Sequence, residues 1–138
     1  MKAIERFSLA AHSGDYASWP LRTPLYFDSR ASSLKVSGYQ LLHQFETIAG
    51  YLIVTDYDCP FEEAVSFTLI DSSLTRILSE RRIGAPYCSC WLKSIEWTDE
   101  RHFVVMIDGM ADRWESTLRN WGIPFLRPRL KMVRIRSV

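Results

Sequence analysis

Cysteine is scarce in this 138-residue sequence, and long apolar runs are missing. The three cysteines, Cys59, Cys88 and Cys90, are too few and odd in number for the disulfide framework of a small secreted domain. No window approaches the roughly 18 consecutive apolar residues of a membrane-spanning helix, and the charged N-terminus does not resemble a secretory signal. We therefore expect a protein of the reducing cytoplasm that does not enter a membrane.

Motifs of catalysis and cofactor binding are equally scarce. The six glycines are scattered, so no glycine-rich loop is available to hold a phosphate group. Cys88 and Cys90 lack the second cysteine pair that a zinc site requires. Three histidines have none of the spacings of a zinc site: His12, His43 and His102. The sequence predicts no catalytic residue, no cofactor and no metal ion.

Aromatic residues are what the sequence has in abundance. Five Trp, six Tyr and seven Phe suit pleated, half-buried β-surfaces as well as binding surfaces. The chain length and the 47% apolar content are typical of one domain with its own core. We therefore expect a single domain over residues 1–138, with an irregular arm at 9–34 and a β-rich body at 38–138.

Period-two alternation predicts antiparallel strands along the body, at 39–45, 51–55, 65–69, 87–97, 103–107 and 130–135. The strand at 51–55 has apolar residues on both faces, which indicates a central strand covered from both sides. Segments 74–83 and 112–121 fit either a helix or a strand, and 112–121 favours a short helix because its apolar residues recur at helical spacing. The predicted fold is mainly β: an antiparallel β-sandwich or barrel of about seven strands with one or two short helices.

An acidic segment follows the strand at 51–55 directly. Its four carboxylates and two aromatic residues are Asp56, Tyr57, Asp58, Phe61, Glu62 and Glu63. Three interpretations are open: a solvated acidic turn, a protein-binding surface, or a catalytic or cation site, since carboxylate oxygens are ligands of hard cations. As a protein-binding surface, the carboxylates would meet a basic partner while Tyr57 and Phe61 act as apolar anchors.

The net charge of +1 conceals a basic C-terminal end. Five positive charges lie there, on Arg127, Arg129, Lys131, Arg134 and Arg136. The rest of the chain therefore has a net charge of 1 − 5 = −4. Alternating cations are typical of a protected sheet edge, of a surface for an acidic protein, or of a strand that follows a phosphate backbone. Because no aromatic residues are interleaved with them, the segment disfavours nucleic acid. We predict that Arg127, Arg129 and Lys131 contact a protein partner.

Residues 50–63 (Gly-Tyr-Leu-Ile-Val-Thr-Asp-Tyr-Asp-Cys-Pro-Phe-Glu-Glu), followed by a β-meander, resemble the small β-rich bacterial proteins that are encoded beside polymorphic toxins as immunity factors. The resemblance covers residues 38–108 and rests on general texture and on the acidic segment. It implies a non-enzymatic inhibitor that binds one cognate toxin domain.

These observations predict a non-enzymatic protein-binding module, in its most specific form an immunity-type inhibitor of a bacterial toxin. Tryptophan, tyrosine and arginine dominate the energetics of protein interfaces, and all three are abundant here. One alternative is a small-ligand-binding β-barrel, or an enzyme, whose apolar pocket is lined by Trp91, Trp97, Phe103 and Trp114. Another is a homo-oligomeric subunit with a structural role. The sequence does not choose among them.

Overall fold

A computed structural model describes residues 1–57, 64–84, 90–123 and 126–136 of the chain. Strands account for 61% of the structure and helix for 2%, so the predicted dominance of antiparallel β-structure is confirmed. The twelve strands of the described residues are β1 (Lys2–Ala3), β2 (Phe7–Leu9), β3 (Arg22–Phe27), β4 (Arg30–Ser37), β5 (Gln40–Thr47), β6 (Gly50–Asp56), β7 (Ala64–Ile70), β8 (Ile77–Gly84), β9 (Leu92–Trp97), β10 (His102–Ile107), β11 (Arg113–Leu118) and β12 (Leu130–Ile135). Within the described ranges, the helical content is the 3₁₀ turn at Tyr16–Ser18.

Three antiparallel sheets hold these strands. The five-stranded sheet has the order β1-β5-β6-β7-β8, the four-stranded sheet β12-β11-β10-β9, and the three-stranded sheet β2-β3-β4. One group of buried apolar side chains joins the five-stranded to the four-stranded sheet, and a second, smaller group joins it to the three-stranded sheet. The five-stranded sheet is therefore the middle of three layers. None of the described residues forms a helix that could span a lipid bilayer.

Strands β6 and β7 are buried because both of their faces are covered. In β6, Leu52 and Val54 belong to the larger core whereas Ile53 belongs to the smaller one, as the alternation of side chains along a strand requires. All seven residues of β7 are buried, and Phe67 is fully inaccessible to solvent. The prediction of a central strand covered from both sides is confirmed.

The number of layers corrects the finer part of the fold prediction. Twelve strands in three sheets replace the sandwich or barrel of about seven strands, and within the described ranges the sheets do not close into a barrel. The physical reason lies in the middle sheet. A simple sandwich or a filled barrel buries one face of each strand, whereas β6 and β7 are buried on both faces and need a covering layer on each.

Segment 112–121, predicted as a short helix, contains strand β11 instead. This strand pairs with β10 on one side and β12 on the other, and Trp114, Ser116 and Leu118 are buried on one of its faces. Residues four apart share a face in a helix and also in a strand, so this spacing did not separate the two periods. Hydrogen bonding to two neighbours decided for the strand. The ambiguous segment 74–83 likewise contains most of strand β8.

The arm predicted as irregular at 9–34 contains sheet in 12 of its 26 residues. Strands β3 and β4 form a hairpin whose turn residues, Asp28 and Ser29, have φ angles of +50° and +63°. A two-residue turn with both φ angles positive matches the twist of the strands, and Asn-Gly or Asp-Gly is its usual sequence. The unusual Asp-Ser pair concealed this hairpin. Apart from this turn, only residues 10–21 of the arm lack strands.

Gly50 is required where the β5–β6 turn meets the end of strand β7. Its φ is +133°, and a Cβ atom there would lie 2.2 Å from the carbonyl oxygen of Ile70. The hydroxyl of Thr47 closes the same turn by donating to the carbonyl oxygen of Gly50 at 2.6 Å. Gly109 also has a positive φ, +81°, but its Cβ position has open space around it. Substitutions at these two glycines therefore distinguish the cost of steric overlap with a neighbour from the cost of backbone strain.

We expect Gly50→Ala to lower the free energy of unfolding by about 3 kcal/mol or more, because backbone strain and overlap with a backbone carbonyl add up. Gly109→Ala is the matched control and should cost about 1 kcal/mol, from backbone strain alone. Urea denaturation followed by circular dichroism measures both values. Equal losses in the two variants would contradict the close approach of Gly50 to Ile70.

Candidate interaction surface

The β11–β12 connection continues as a tight hairpin beyond the ends of both strands. The Arg119 N–H donates to the Arg129 carbonyl at 2.8 Å, and Ile123 and Arg127 exchange two backbone hydrogen bonds of 2.9 and 2.8 Å. Gly122 permits this approach, since a Cβ atom there would lie 2.5 Å from the Arg127 carbonyl oxygen. These bonds hold the described part of the hairpin in one conformation.

Three large apolar side chains of this hairpin face solvent. Trp121, Ile123 and Leu126 are 55%, 48% and 81% exposed. A single exposed apolar side chain is ordinary, but a contiguous group is typical of an interaction site. We call these three residues, together with Arg127 and Arg129, the hairpin-tip patch.

The hairpin-tip patch carries positive charge that the described residues do not neutralise. The guanidinium carbon of Arg127 lies 3.8 Å from the ring centre of Trp121, a cation–π contact. Neither Arg127 nor Arg129, nor the neighbouring Arg76, forms an ion pair with a described carboxylate. Four other arginines do have carboxylate partners: Arg6 with Asp28, Arg22 with Glu80, Arg113 with Glu115 and Arg134 with Asp112.

Two shallow grooves border the patch and share Leu78 and Arg129. One, of about 280 Å³, lies between the start of β8 and the hairpin, with Ile77 in its wall. The other lies beside the turn at 47–50, where Ile48 is 45% exposed. This end of the molecule thus offers a continuous concave surface with apolar side chains in it.

Asp71 also borders the second groove, but its own turn occupies its carboxylate. It accepts hydrogen bonds from the backbone N–H groups of Thr75 and Arg76 at 2.8 and 3.0 Å, and from the hydroxyls of Ser73 and Thr75 at 2.7 and 2.5 Å. Desolvation raises the pKa of Asp71, but these hydrogen bonds outweigh it and hold the pKa well below its usual range. The carboxylate therefore stabilises the β7–β8 turn and leaves Arg129 without an ion-pair partner among the described residues.

The residues predicted to bind a partner lie in two separate places. Arg127 and Arg129 belong to the hairpin-tip patch, and Lys131 is exposed on β12, an edge strand of the four-stranded sheet. Gly50 borders the groove beside Arg129, whereas Asp56 is at the other end of β6. At about 3.3 Å per strand residue, the two ends of β6 are about 20 Å apart. The structure does not bring the acidic and basic segments together.

In the acidic segment, Asp56 and Tyr57 are 4% and 3% exposed and make contacts inside the protein. The carbonyl oxygen of Asp56 accepts the N–H of Tyr39 at 2.8 Å, and the hydroxyl of Tyr57 donates to the carbonyl of Leu21 at 3.1 Å. Four predicted partner-binding residues lie outside the described residues: Asp58, Phe61, Glu62 and Glu63. Partner binding by the acidic segment therefore stays a prediction.

A cluster of rings that the sequence did not reveal holds the strand-free part of the arm, residues 10–21, in place. The ring centres of His12, Trp19 and Tyr39 lie 5.1 to 5.3 Å from one another, and Tyr57 packs against Tyr39 at 4.9 Å. The Tyr39 hydroxyl donates to the carbonyl of Pro20 at 2.8 Å. Since its polar groups bond to the arm itself, this cluster stabilises the arm.

Sequence reasoning missed the apolar members of the hairpin-tip patch. Reading 112–121 as an amphipathic helix put Trp121 on a buried face and drew no attention to Ile123 and Leu126. One signal was available. These apolar residues share their segment with Gly122 and Pro124, which are typical of a loop, and apolar side chains in a surface loop are exposed unless a layer covers them.

We expect Asp71→Asn to destabilise the protein at pH 7 and to have a smaller effect at pH 3. The pKa of Asp71 is lower in the folded than in the unfolded protein, so the stability it contributes is present above the ordinary value of 3.8 and is lost as the pH falls. Urea unfolding of both proteins at pH 7, 5 and 3 measures the difference. Asp108→Asn, at an exposed carboxylate, is the matched control. A difference that does not change with pH would contradict the hydrogen-bonded turn.

Known proteins offer no guide to the role of this surface. No protein-family model, no curated protein and no solved structure matches the chain. Among the described residues, no group of three His, Cys, Asp or Glu side chains is placed to hold a metal ion. The function has to be argued from the physical character of the surface itself.

Proposed function

We propose that this chain is a non-enzymatic protein-binding module that binds its partner through the hairpin-tip patch. The observation that carries the proposal is the combination found there. Trp121, Ile123 and Leu126 are solvent-exposed around a stacked arginine on a hydrogen-bonded hairpin. Exposed apolar groups of this kind gain free energy when a partner removes them from water.

The composition of the patch matches the energetics of protein interfaces. Tryptophan and arginine are the residues most enriched among those that dominate binding free energy. Trp121 supplies a large apolar surface with few rotatable bonds, and Arg127 covers part of its ring. The backbone hydrogen bonds between Ile123 and Arg127 fix the hairpin, so less entropy is lost on binding than a flexible loop would lose.

The packing of the core aromatic rings favours a binding surface over an internal ligand pocket. The rings proposed to line such a pocket pack together in the core: Trp97 lies 4.7 Å from Phe103 and 5.2 Å from Phe45, centre to centre. Phe103 and Trp114 are buried in the same core, whereas Trp91 is 36% exposed. These contacts occupy the space that a ligand would need.

Inhibition of a bacterial toxin is the more specific form of this proposal. It would work by covering the active site of the toxin, with the carboxylates of the acidic segment against a basic rim. Its support is the resemblance of residues 38–108 to immunity factors. The hairpin-tip patch is basic and lies at the other end of β6, so it would serve a different part of the same partner or a different partner.

To test the protein-binding function, a photo-crosslinking amino acid replaces Leu126 in the cells that produce the protein, and the crosslinked partner is identified and purified. We expect crosslinking at Leu126 and none at Ser33, an exposed residue of β4 that serves as the control position. Trp121→Ala should then weaken the dissociation constant of the purified pair about 30-fold, equivalent to about 2 kcal/mol for a central interface tryptophan.

Trp91→Ala is the matched control, because Trp91 is a second exposed tryptophan outside the patch. It should change the dissociation constant less than threefold. Equal crosslinking at Leu126 and Ser33, or equal effects of the two tryptophan substitutions, would contradict the proposed function. Circular dichroism and thermal melting of each variant show whether the fold is retained.

A further inference from the structure

We infer that the surface bound by the hairpin-tip patch belongs to an acidic protein, with carboxylates that surround an apolar side chain. The inference rests on the proposed function and adds the chemistry of the partner. It follows from three features: positive charge without an ion-pair partner among the described residues, a groove between the charges that contains apolar side chains, and a shape and composition unsuited to nucleic acid.

The positive charge comes from arginines on two separate elements. Arg76 precedes β8, while Arg127 and Arg129 lie on the β11–β12 connection, and all three border one groove. No described carboxylate pairs with any of them. A guanidinium group binds carboxylates through two parallel hydrogen bonds, and complementary charge raises the association rate and excludes partners of the same sign.

The groove between these arginines has apolar side chains among the polar atoms of its walls. Ile77 and Leu78 at the start of β8 and Ile123 of the hairpin are among its apolar lining residues. Its volume of about 280 Å³ is enough for one large side chain of a partner. An apolar side chain of a partner would therefore pack against the apolar lining residues, while its acidic neighbours pair with the arginines.

A phosphate backbone would pair with the arginines but would not cover the apolar side chains. The aliphatic side chains of Ile123 and Leu126 project from the patch at 48% and 81% exposure, and contact with polyanions would leave them in water. Single-stranded nucleic acid is held mainly by stacking on aromatic rings. Trp121 is the one tryptophan of the patch, and Arg127 already lies over its ring.

The test selects binding peptides from a displayed library of random 12-residue sequences on the full-length protein, with the Arg127→Ala/Arg129→Ala variant in solution as competitor. We expect sequences rich in Asp and Glu around a Leu, Ile or Phe. A synthetic peptide of that consensus should bind at least tenfold more weakly to the double variant, and more weakly to the wild type as NaCl rises from 50 to 500 mM.

Two further variants control for folding and for net charge. Arg76→Ala leaves the hairpin intact and should weaken the peptide at least threefold. Arg30→Ala/Arg136→Ala removes the same charge from exposed positions outside the patch and should change binding less than twofold. Equal weakening by both double variants would overturn the inference, because it would show that only the net charge of the protein matters.

The remaining outcomes separate this inference from the proposed function. Selected peptides that bind the patch but are neutral or basic would overturn the acidic partner and leave the protein-binding function in place. The absence of any peptide sensitive to Arg127 and Arg129, or tighter patch-dependent binding of a mixed-sequence oligonucleotide than of the acidic peptide, would overturn both. Analytical ultracentrifugation that shows dimers lost in the double variant would assign the patch to a second copy of this chain and overturn the acidic partner.

Discussion

The structure depends on burying β6 and β7 on both faces. Their side chains alternate between two cores, with Val54 and Phe67 on one side and Ile53 and Ile70 on the other. A layer on one side alone would leave the second set in water, at a cost of about 25 cal/mol for each Å² of apolar surface. The three-stranded sheet is therefore as necessary to the fold as the four-stranded sheet.

Polar contacts fix the three-stranded sheet on the middle layer. Ser37 and Arg22 both donate to the Glu80 carboxylate at 2.9 Å, and Thr55 donates to the Ser37 carbonyl at 2.6 Å. Burial raises the pKa of Glu80, but the hydrogen bonds from Arg22 and Ser37 outweigh it and lower the pKa overall. Charge is thus balanced internally between these two layers. At the hairpin-tip patch, in contrast, Arg127 and Arg129 have no ion-pair partner among the described residues.

Because both faces of the middle sheet are buried, its exposed groups lie at the ends of the strands. The loops where strands end are common positions for binding sites. At one end of β6, hydrogen bonds and ring contacts hold the arm against Tyr39 and Tyr57. At the other end, the β11–β12 hairpin presents apolar groups and arginines that pair with none of the described carboxylates. The two ends are chemically distinct for this reason.

The sequence by itself determined the antiparallel β-class, the doubly covered strand at 51–55 and the strand at 130–135, because period-two alternation is a local property of neighbouring residues. Tertiary structure decided the rest. Trp114 and Leu118 fit a helix and a strand equally, and pairing with β10 and β12 made them part of a strand. The basic residues Arg127 and Arg129 were visible in the sequence. The groove that they share with Arg76, Ile77 and Leu78 was not, because those residues are about 50 positions away along the chain, and only the packing of the five-stranded on the four-stranded sheet brings them together.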